Sequence, residues 1–143
     1  MKALVVDASV VLKWCLPARL EPHTERAAEL MDLYEAGAAS FLAPDLLWAE
    51  VGNGLWKAVR GGGISSAHAD AAVELLQELK IGIVRSAELL PQALHIAMQH
   101  DRTVYDSLYV AAAMRAGCDL ITADERLAHA LAARFPVKWL GGL

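Results

Sequence analysis

The sequence predicts an α/β fold in which a parallel sheet is covered by helices on both faces. Short apolar runs rich in β-branched residues, such as KALVVD at 2–7, alternate with longer segments whose apolar residues follow helical spacing. Strands joined by helical crossovers are buried on both faces, which explains why the runs are apolar throughout. The length of 143 residues suits one domain, so we expect a single domain over 1–143.

The strands are predicted where a short apolar run is bounded by glycine, proline or charged residues. Each run is too short to form a stable helix of its own. In chain order the predicted strands are residues 2–7, 40–44, 82–85, 118–123 and 137–141.

The helices are predicted from helical spacing of apolar residues and from residues that begin or end helices. Gly37 and Gly117 each follow a helical segment, and glycine readily adopts the left-handed conformation that ends one. Ser65 or Ser66 can cap the fourth helix, and we expect Pro91 to lie in the first turn of its helix. In chain order the predicted helices are residues 9–16, 22–36, 45–59, 66–79, 87–100, 105–116 and 124–135.

Composition limits the class of protein. The chain is 56% hydrophobic and 21% charged, which is typical of a globular protein and not of a disordered one. Thirteen basic and seventeen acidic residues leave a formal charge of −4, so RNA binding would need a local basic patch. The two cysteines form no disulfide framework, and we expect neither a signal peptide nor a membrane span. We therefore expect a cytoplasmic protein.

Four acidic residues stand out by their positions. Asp7 ends the first predicted strand, Asp124 follows the fourth, and Asp106 lies in the first turn of the helix before the fourth. Ligand sites of parallel α/β sheets lie at the carboxyl ends of the strands, so these three are expected at one edge. Glu50 interrupts an apolar helix beside its buried face, where an unpaired charge is costly.

Each acid also has a simpler structural explanation. Asp7 and Asp124 can cap the helices that follow them, Asp106 can complement a helix dipole, and Glu50 can point into water. These explanations account for each acid by itself, but they do not explain why all four acids occur together. Clustered carboxylates repel unless a cation neutralises them, and hard oxygen ligands favour Mg²⁺ or Mn²⁺. The residues therefore suggest a phosphodiesterase in which a metal activates the attacking water.

Clustering of these carboxylates would also affect the stability of the folded protein. If the carboxylates repel one another, Asp106→Asn should leave the metal-free protein unchanged or stabilise it by up to about 1 kcal/mol.

Four blocks, VVDASVVLKW, LLWAEVGNGL, TVYDSLYVAAA and LITADERL, together resemble the PIN-domain family, most closely the VapC-type toxins of bacterial toxin–antitoxin (VapBC) pairs. The resemblance covers essentially the whole chain. It implies a three-layer α/β/α sandwich around a parallel sheet of about five strands. It also implies an Mg²⁺- or Mn²⁺-dependent endoribonuclease that cleaves RNA, is held inactive by a small antitoxin protein and forms a homodimer.

The resemblance also assigns residues. The family's catalytic and metal-binding acids fall on Asp7, Glu50, Asp106 and Asp124. Its supporting polar residues fall on Ser9, Asn53 and Thr122. The first three acids are expected to bind the metal directly or through water, whereas the last either binds metal, orients a water or only caps its helix. For Ser9, holding a ligand or phosphate oxygen and serving as a second helix-cap oxygen both remain open.

Basic residues are candidates for RNA contacts. Lys13 is the preferred RNA-binding candidate, because it follows Asp7 by less than two helical turns. Lys57, Arg60 and Arg102 are further candidates. For each of them a solvated surface charge is the simpler alternative.

The tryptophans either stack on RNA bases or belong to the core and to interfaces. Trp48 and Trp56 lie on the Leu-rich helix predicted over 45–59. This arrangement suits a groove in which a partner segment binds as a helix.

Two other functions compete with the nuclease. A catalytically silent PIN-type binding or regulatory subunit would not need the complete set of acids. A phosphoacceptor receiver domain would show an adjacent acidic pair after its first strand and a lysine after its last. Here VVDAS has one acid, and Lys138 lies inside the last predicted strand.

Overall fold

The computed structural model describes residues 1–143 and contains one five-stranded sheet. Its strands are β1 (Lys2–Val6), β2 (Ala39–Pro44), β3 (Gly82–Val84), β4 (Asp119–Thr122) and β5 (Val137–Trp139). Their order across the sheet is β3-β2-β1-β4-β5, and every neighbouring pair is parallel. The predicted five parallel strands are therefore confirmed.

Seven helices cover the sheet. They are α1 (Ala8–Cys15), α2 (Thr24–Glu35), α3 (Leu46–Arg60), α4 (Ser66–Glu78), α5 (Ser86–His100), α6 (Val104–Ala116) and α7 (Glu125–Leu131). Right-handed crossovers place α1 to α4 on one face and α5 to α7 on the other. This assignment agrees with the packing of α1 on α2 and α3, and of α5 on α6. The predicted three-layer α/β/α arrangement is thus confirmed, and no helix has the length and apolarity needed to cross a bilayer.

Helix α6 lies against the middle of the sheet. It contacts β1, β2 and β4, and every residue from Ser107 to Ala113 is buried. A helix covered on all sides needs apolar or small residues all round, which explains why this segment lacks an amphipathic pattern. Its C-terminus is closed by Gly117 with φ of 65°, as predicted.

Three boundaries differ from the sequence prediction by two residues or more. Helix α7 ends at Leu131 and not at residue 135, and residues 132–134 form a turn before Pro136. Helix α2 begins at Thr24, after His23, whose φ of 58° is left-handed. The last strand ends at Trp139, where a 3₁₀ turn follows.

Pro91 also differs from its prediction. It lies inside α5 and beyond the first turn. Because proline has no N–H, the helical hydrogen bond to the carbonyl of Ala87 is missing there.

The strand order creates a switch point between β1 and β4. From β1 the chain proceeds to β2 on one side, and it later returns to β4 on the other side. The helices that leave the two strands therefore lie on opposite faces, which opens a crevice at the carboxyl edge. Asp7 follows β1 and Asp124 follows the turn after β4, so both lie at this crevice.

Candidate active site

Asp7 is the first residue after β1 and the N-cap of α1. Its Oδ1 accepts a hydrogen bond from the backbone N–H of Val10 at 3.2 Å, and the residue is 7% exposed. The simpler explanation of Asp7 as a helix cap is therefore confirmed. A cap needs only one carboxylate oxygen, so the surroundings of the other oxygen decide whether Asp7 does more.

Two hydroxyl groups tie Asp7 to the far side of the crevice. Ser9 Oγ donates to Asp7 Oδ1, and Thr122 Oγ1 donates to Asp7 Oδ2, both at 2.5 Å. The same hydroxyl oxygens accept from the backbone N–H groups of Ala123 at 2.9 Å and Asp124 at 3.1 Å. Each hydroxyl therefore bridges one carboxylate oxygen to the loop after β4. Together the two bridges hold the carboxylate in one orientation.

The charge on Asp7 is not compensated. Burial raises the pKa of Asp7 from 3.8 to about 6, against the lowering effect of hydrogen bonds from Ser9, Thr122 and Val10. The negative charge of Glu50 contributes to this rise, and no cation is among the groups that act on Asp7. A desolvated carboxylate beside a second carboxylate is the environment that a bound divalent cation would neutralise.

Glu50 reaches the site from α3. The Tyr109 hydroxyl donates a hydrogen bond to Glu50 Oε1 at 2.6 Å. Tyr109 is 3% exposed, and burial together with the charges of Glu50 and Asp7 raises the pKa of its phenol far above the usual value. The phenol therefore stays protonated, and it is a donor to Glu50 and not an acceptor.

Asp106 lies one turn before Tyr109 on α6. Thr103 caps this helix by accepting from the backbone N–H of Asp106 at 3.1 Å. The carboxylate is 3.3 Å from Nη2 of Arg102, whose buried Nε has no hydrogen-bond partner. In contrast to Asp7, Asp106 therefore has a cation next to it.

Asp124 is the N-cap of α7. Its Oδ1 accepts from the backbone N–H of Leu127 at 3.1 Å, which confirms the capping explanation. No three His, Cys, Asp or Glu side chains are arranged closely enough to hold a metal ion between them. The charge of Glu50 acts on Asp7, whereas Asp106 is paired with Arg102 just before α6 and Asp124 caps α7.

Two predicted residues lie apart from this constellation. Asn53 is exposed, and its side chain makes no hydrogen bond. Neither prediction for Lys13, an RNA contact or a solvated charge, fits its place, since its side chain is 4% exposed and its Nζ lies 3.6 Å from Glu21. Helix α1 carries Lys13 about 9 Å away from the residue after β1, at 1.5 Å per residue. The RNA-binding role of Lys13 loses its main support, because the ammonium is buried and already paired.

Two residues of the site were not predicted as such. Tyr109 follows Asp106 by three positions, so the two share a helix face, but nothing local in the sequence shows that its hydroxyl meets Glu50. Arg102 was named only as an RNA contact. Its i, i+4 spacing to Asp106 was the available signal for their ion pair.

The groups at the edge fit a hard divalent cation. They are carboxylate and hydroxyl oxygens, and no histidine or cysteine is among the partners of Asp7 or Glu50. Such donors suit Mg²⁺ or Mn²⁺ better than zinc. The two carboxylates that repel each other are the ones that gain most from such an ion.

Comparison with known proteins agrees with this architecture. The family model for the PIN domain matches residues 4–131. Ribonuclease VapC3 of Pyrobaculum aerophilum is 34% identical over 129 residues, which are 88% of this chain and 92% of the relative.

Two solved structures share the fold. The sarcin–ricin loop-cleaving toxin VapC20 of Mycobacterium tuberculosis has a TM-score of 0.65 at 17% identity, over 92% of this chain and 95% of that one. A toxin–antitoxin complex from Klebsiella pneumoniae has a TM-score of 0.66 at 15% identity, over 94% of this chain and 95% of that one.

Proposed function

This chain belongs to the PIN-domain family, as the four sequence blocks predicted, and from that membership we propose that it is a divalent-metal-dependent endoribonuclease of the VapC toxin type. The observation that carries the proposal is the state of Asp7. Its carboxylate is buried at the switch point, oriented by two hydroxyl groups, exposed to the negative charge of Glu50 and without a cation. A receiver domain is no longer an alternative, because the family match spans nearly the whole chain.

We assign the binding of Mg²⁺ or Mn²⁺ to Asp7, Glu50 and Asp106. When bound, the ion supplies positive charge to the phosphate oxygens and lowers the pKa of the attacking water. Asp106 would hold the ion in place of its contact with Arg102, and the guanidinium would then be able to contact an RNA phosphate. Direct metal binding by Asp124 stays a prediction, since its carboxylate caps α7.

The other polar residues keep these carboxylates in place. Ser9 and Thr122 orient Asp7 through their hydroxyl groups, and they are in turn held by backbone N–H groups of the loop after β4. Such outer hydrogen bonds to ligands typically change metal affinity 10- to 100-fold when they are removed. Asn53 has no contact that supports a comparable role.

RNA cleavage by the purified protein tests the proposal. Single-stranded RNA is incubated with Mg²⁺, with Mn²⁺ and with EDTA, using the wild type, Asp7→Asn and the control Asp70→Asn, which changes an exposed aspartate of α4. We expect cleavage that needs metal and that falls at least ~10²-fold in Asp7→Asn only. Cleavage in EDTA, or full activity of Asp7→Asn, contradicts the proposal. RNA binding without any cleavage would favour the catalytically silent subunit.

We place the antitoxin in a groove between α2 and α4 on the face opposite to α6. The groove has a volume of about 1120 Å³ and an apolar floor that includes Trp14, Met31 and Leu76. Four exposed acids line it: Glu25, Asp32, Glu35 and Glu78. An apolar groove with acidic walls suits an amphipathic helix that carries Lys or Arg beside its apolar face.

The same apolar surface extends to α3. A smaller hollow of about 480 Å³ is lined by Trp48 and Val51, and it shares Leu76 and Leu79 with the larger groove. The partner segment expected beside the helix over 45–59 therefore has a continuous path across α4.

The homodimer stays a prediction. On the other face of the sheet, Leu90, Leu94 and Met98 form an exposed apolar stripe at i, i+4, i+8 spacing along α5. A two-fold axis across this stripe would bury it against itself and leave the groove free for the antitoxin. Sedimentation of Met98→Glu tests this contact, and a wild type that is monomeric at all concentrations would contradict the dimer.

A further inference from the structure

We propose that Tyr109 is a positioning residue that holds the Glu50 carboxylate toward Asp7 and thereby sets the affinity of the site for a divalent cation. This inference rests on the proposed function, because it concerns the same metal site. It assigns a role to a residue outside the acidic set.

The geometry of the pair supports this role. The hydroxyl of Tyr109 lies 2.6 Å from Glu50 Oε1, and it is the only hydrogen-bond partner of the Glu50 side chain. Glu50 is half-buried on α3, whereas Tyr109 lies on α6 across the crevice. Without the phenol, the long side chain of Glu50 would be free to turn into water. The hydrogen bond therefore selects the rotamer in which Glu50 and Asp7 interact.

Tyr109 itself is held rigidly. Its ring is 3% exposed within the fully buried part of α6, between Leu108 and Val110, and α6 packs on β1 and β2. A ring in such a core cannot move without opening a cavity. The hydroxyl is thus a fixed donor on a rigid element, which is the arrangement that orients a ligand well.

A tyrosine at this position also needs an explanation. A buried hydroxyl is costly unless it is hydrogen-bonded, and phenylalanine would fill the same space without that cost. The hydrogen bond to Glu50 at 2.6 Å is what satisfies the Tyr109 hydroxyl.

A purely structural role predicts something different. If the hydroxyl only supplied a hydrogen bond for itself and for Glu50, its removal would lower the free energy of unfolding equally with and without metal. A positioning role predicts that metal binding itself becomes weaker, while the maximum rate at saturating metal changes little. The metal concentration at half-saturation separates the two roles.

The test follows thermal melting across Mg²⁺ and Mn²⁺ titrations for the wild type, Tyr109→Phe and the control Tyr34→Phe. Tyr34 also uses its hydroxyl, which accepts from the backbone N–H of Lys80 at 3.0 Å, far from the crevice. We expect the half-saturating metal concentration to rise about 10- to 100-fold in Tyr109→Phe and to stay unchanged in Tyr34→Phe. RNA cleavage should require correspondingly more metal and recover to within a few fold of the wild-type rate at saturation.

A cycle with Glu50→Gln shows whether Tyr109 acts through Glu50. In the Glu50→Gln background, Tyr109→Phe should weaken metal binding no further. The double variant also removes the half-buried charge that Tyr109→Phe leaves without a hydrogen bond, so it can be measured if Tyr109→Phe alone fails to fold.

Equal metal titrations of Tyr109→Phe and wild type would overturn the inference and leave the proposed nuclease intact. A further tenfold loss in the Glu50→Gln background would overturn it as well. A wild type that shows no metal response would overturn both the inference and the metal dependence of the proposed function.

Discussion

The Thr122 hydroxyl donates a 2.5 Å hydrogen bond to Asp7 Oδ2, between two residues that are 115 positions apart in the chain. This bond crosses the switch point from the end of β4 to the end of β1. It orients the most deeply buried carboxylate of the site. It also offsets part of the cost of burying the charge, because it lowers the pKa that burial raises.

Asp7→Asn is expected to stabilise the metal-free protein above about pH 6. Below about pH 4 the substitution should change the stability little. Burial raises the pKa of Asp7 from 3.8 to about 6, so the folded state holds this proton more tightly than the unfolded chain does. Ionisation therefore costs folding free energy that grows as the pH rises through this interval and is constant above it. The full cost is up to about 3 kcal/mol.

Thermal melts in EDTA between about pH 4 and pH 8 measure this effect. The control Asp70→Asn should show no pH-dependent difference from the wild type, since Asp70 is exposed. An Asp7→Asn protein that is less stable than the wild type at about pH 8 would show that Asp7 serves its helix only.

Mg²⁺ should stabilise the wild type more at about pH 8 than at about pH 5. A protonated Asp7 is a poor metal ligand, and its pKa of about 6 places the change between these conditions. At ten times its dissociation constant, a ligand adds about 1.4 kcal/mol of stability. Equal stabilisation at both pH values would indicate that the metal binds elsewhere.

Asp106→Asn should destabilise the metal-free protein by roughly 0.5–1 kcal/mol, which reverses the expectation drawn from clustered carboxylates. Arg102 balances the charge of Asp106, and the substitution removes that partly exposed ion pair and a favourable charge in a helix first turn. Cleavage should fall at least ~10²-fold. Chemical denaturation in EDTA gives the stability change, and a more stable variant would mean that repulsion outweighs the ion pair.

Thr122→Val should raise the pKa of Asp7 above about 6, because the hydrogen bond from Thr122 lowers it. The substitution also leaves the backbone N–H of Asp124 without its acceptor, at a cost of about 1–3 kcal/mol. The pH at which metal stabilisation is half-maximal should move upward. Ser65→Ala, which removes the cap of α4 away from the site, should lower stability without moving that pH.

Charge reversal in the groove should weaken the antitoxin complex. Glu25→Lys and Asp32→Lys place positive charge where we propose a basic helix binds, whereas Glu29→Lys changes an exposed acid of the same helix outside the groove. We expect about tenfold weaker binding for each groove variant, most evident at low salt. Titration calorimetry with the antitoxin measures the dissociation constant of each variant. Equal effects of all three variants would indicate a general charge effect.

Much of the fold was predictable because its signals are local. Apolar runs, helical spacing and glycines such as Gly37 and Gly117 act over a few residues, so the order and types of the elements were predicted correctly. The errors lie at the ends of elements, as in α2, which begins only after the left-handed His23.

Local sequence also determined that Asp7, Asp106 and Asp124 lie near one edge, since each adjoins the end of a strand or the start of a helix. Only the tertiary structure decided which of them lacks a counter-charge. Asp7 is buried beside Glu50, Asp106 has Arg102, and Lys13 is paired with Glu21. Desolvation and pairing depend on groups brought together from distant parts of the chain, such as Tyr109 and Glu50, 59 positions apart. No pattern within a single helix or strand carries that information, because it arises when the two faces of the sheet are covered and the crevice between β1 and β4 is formed.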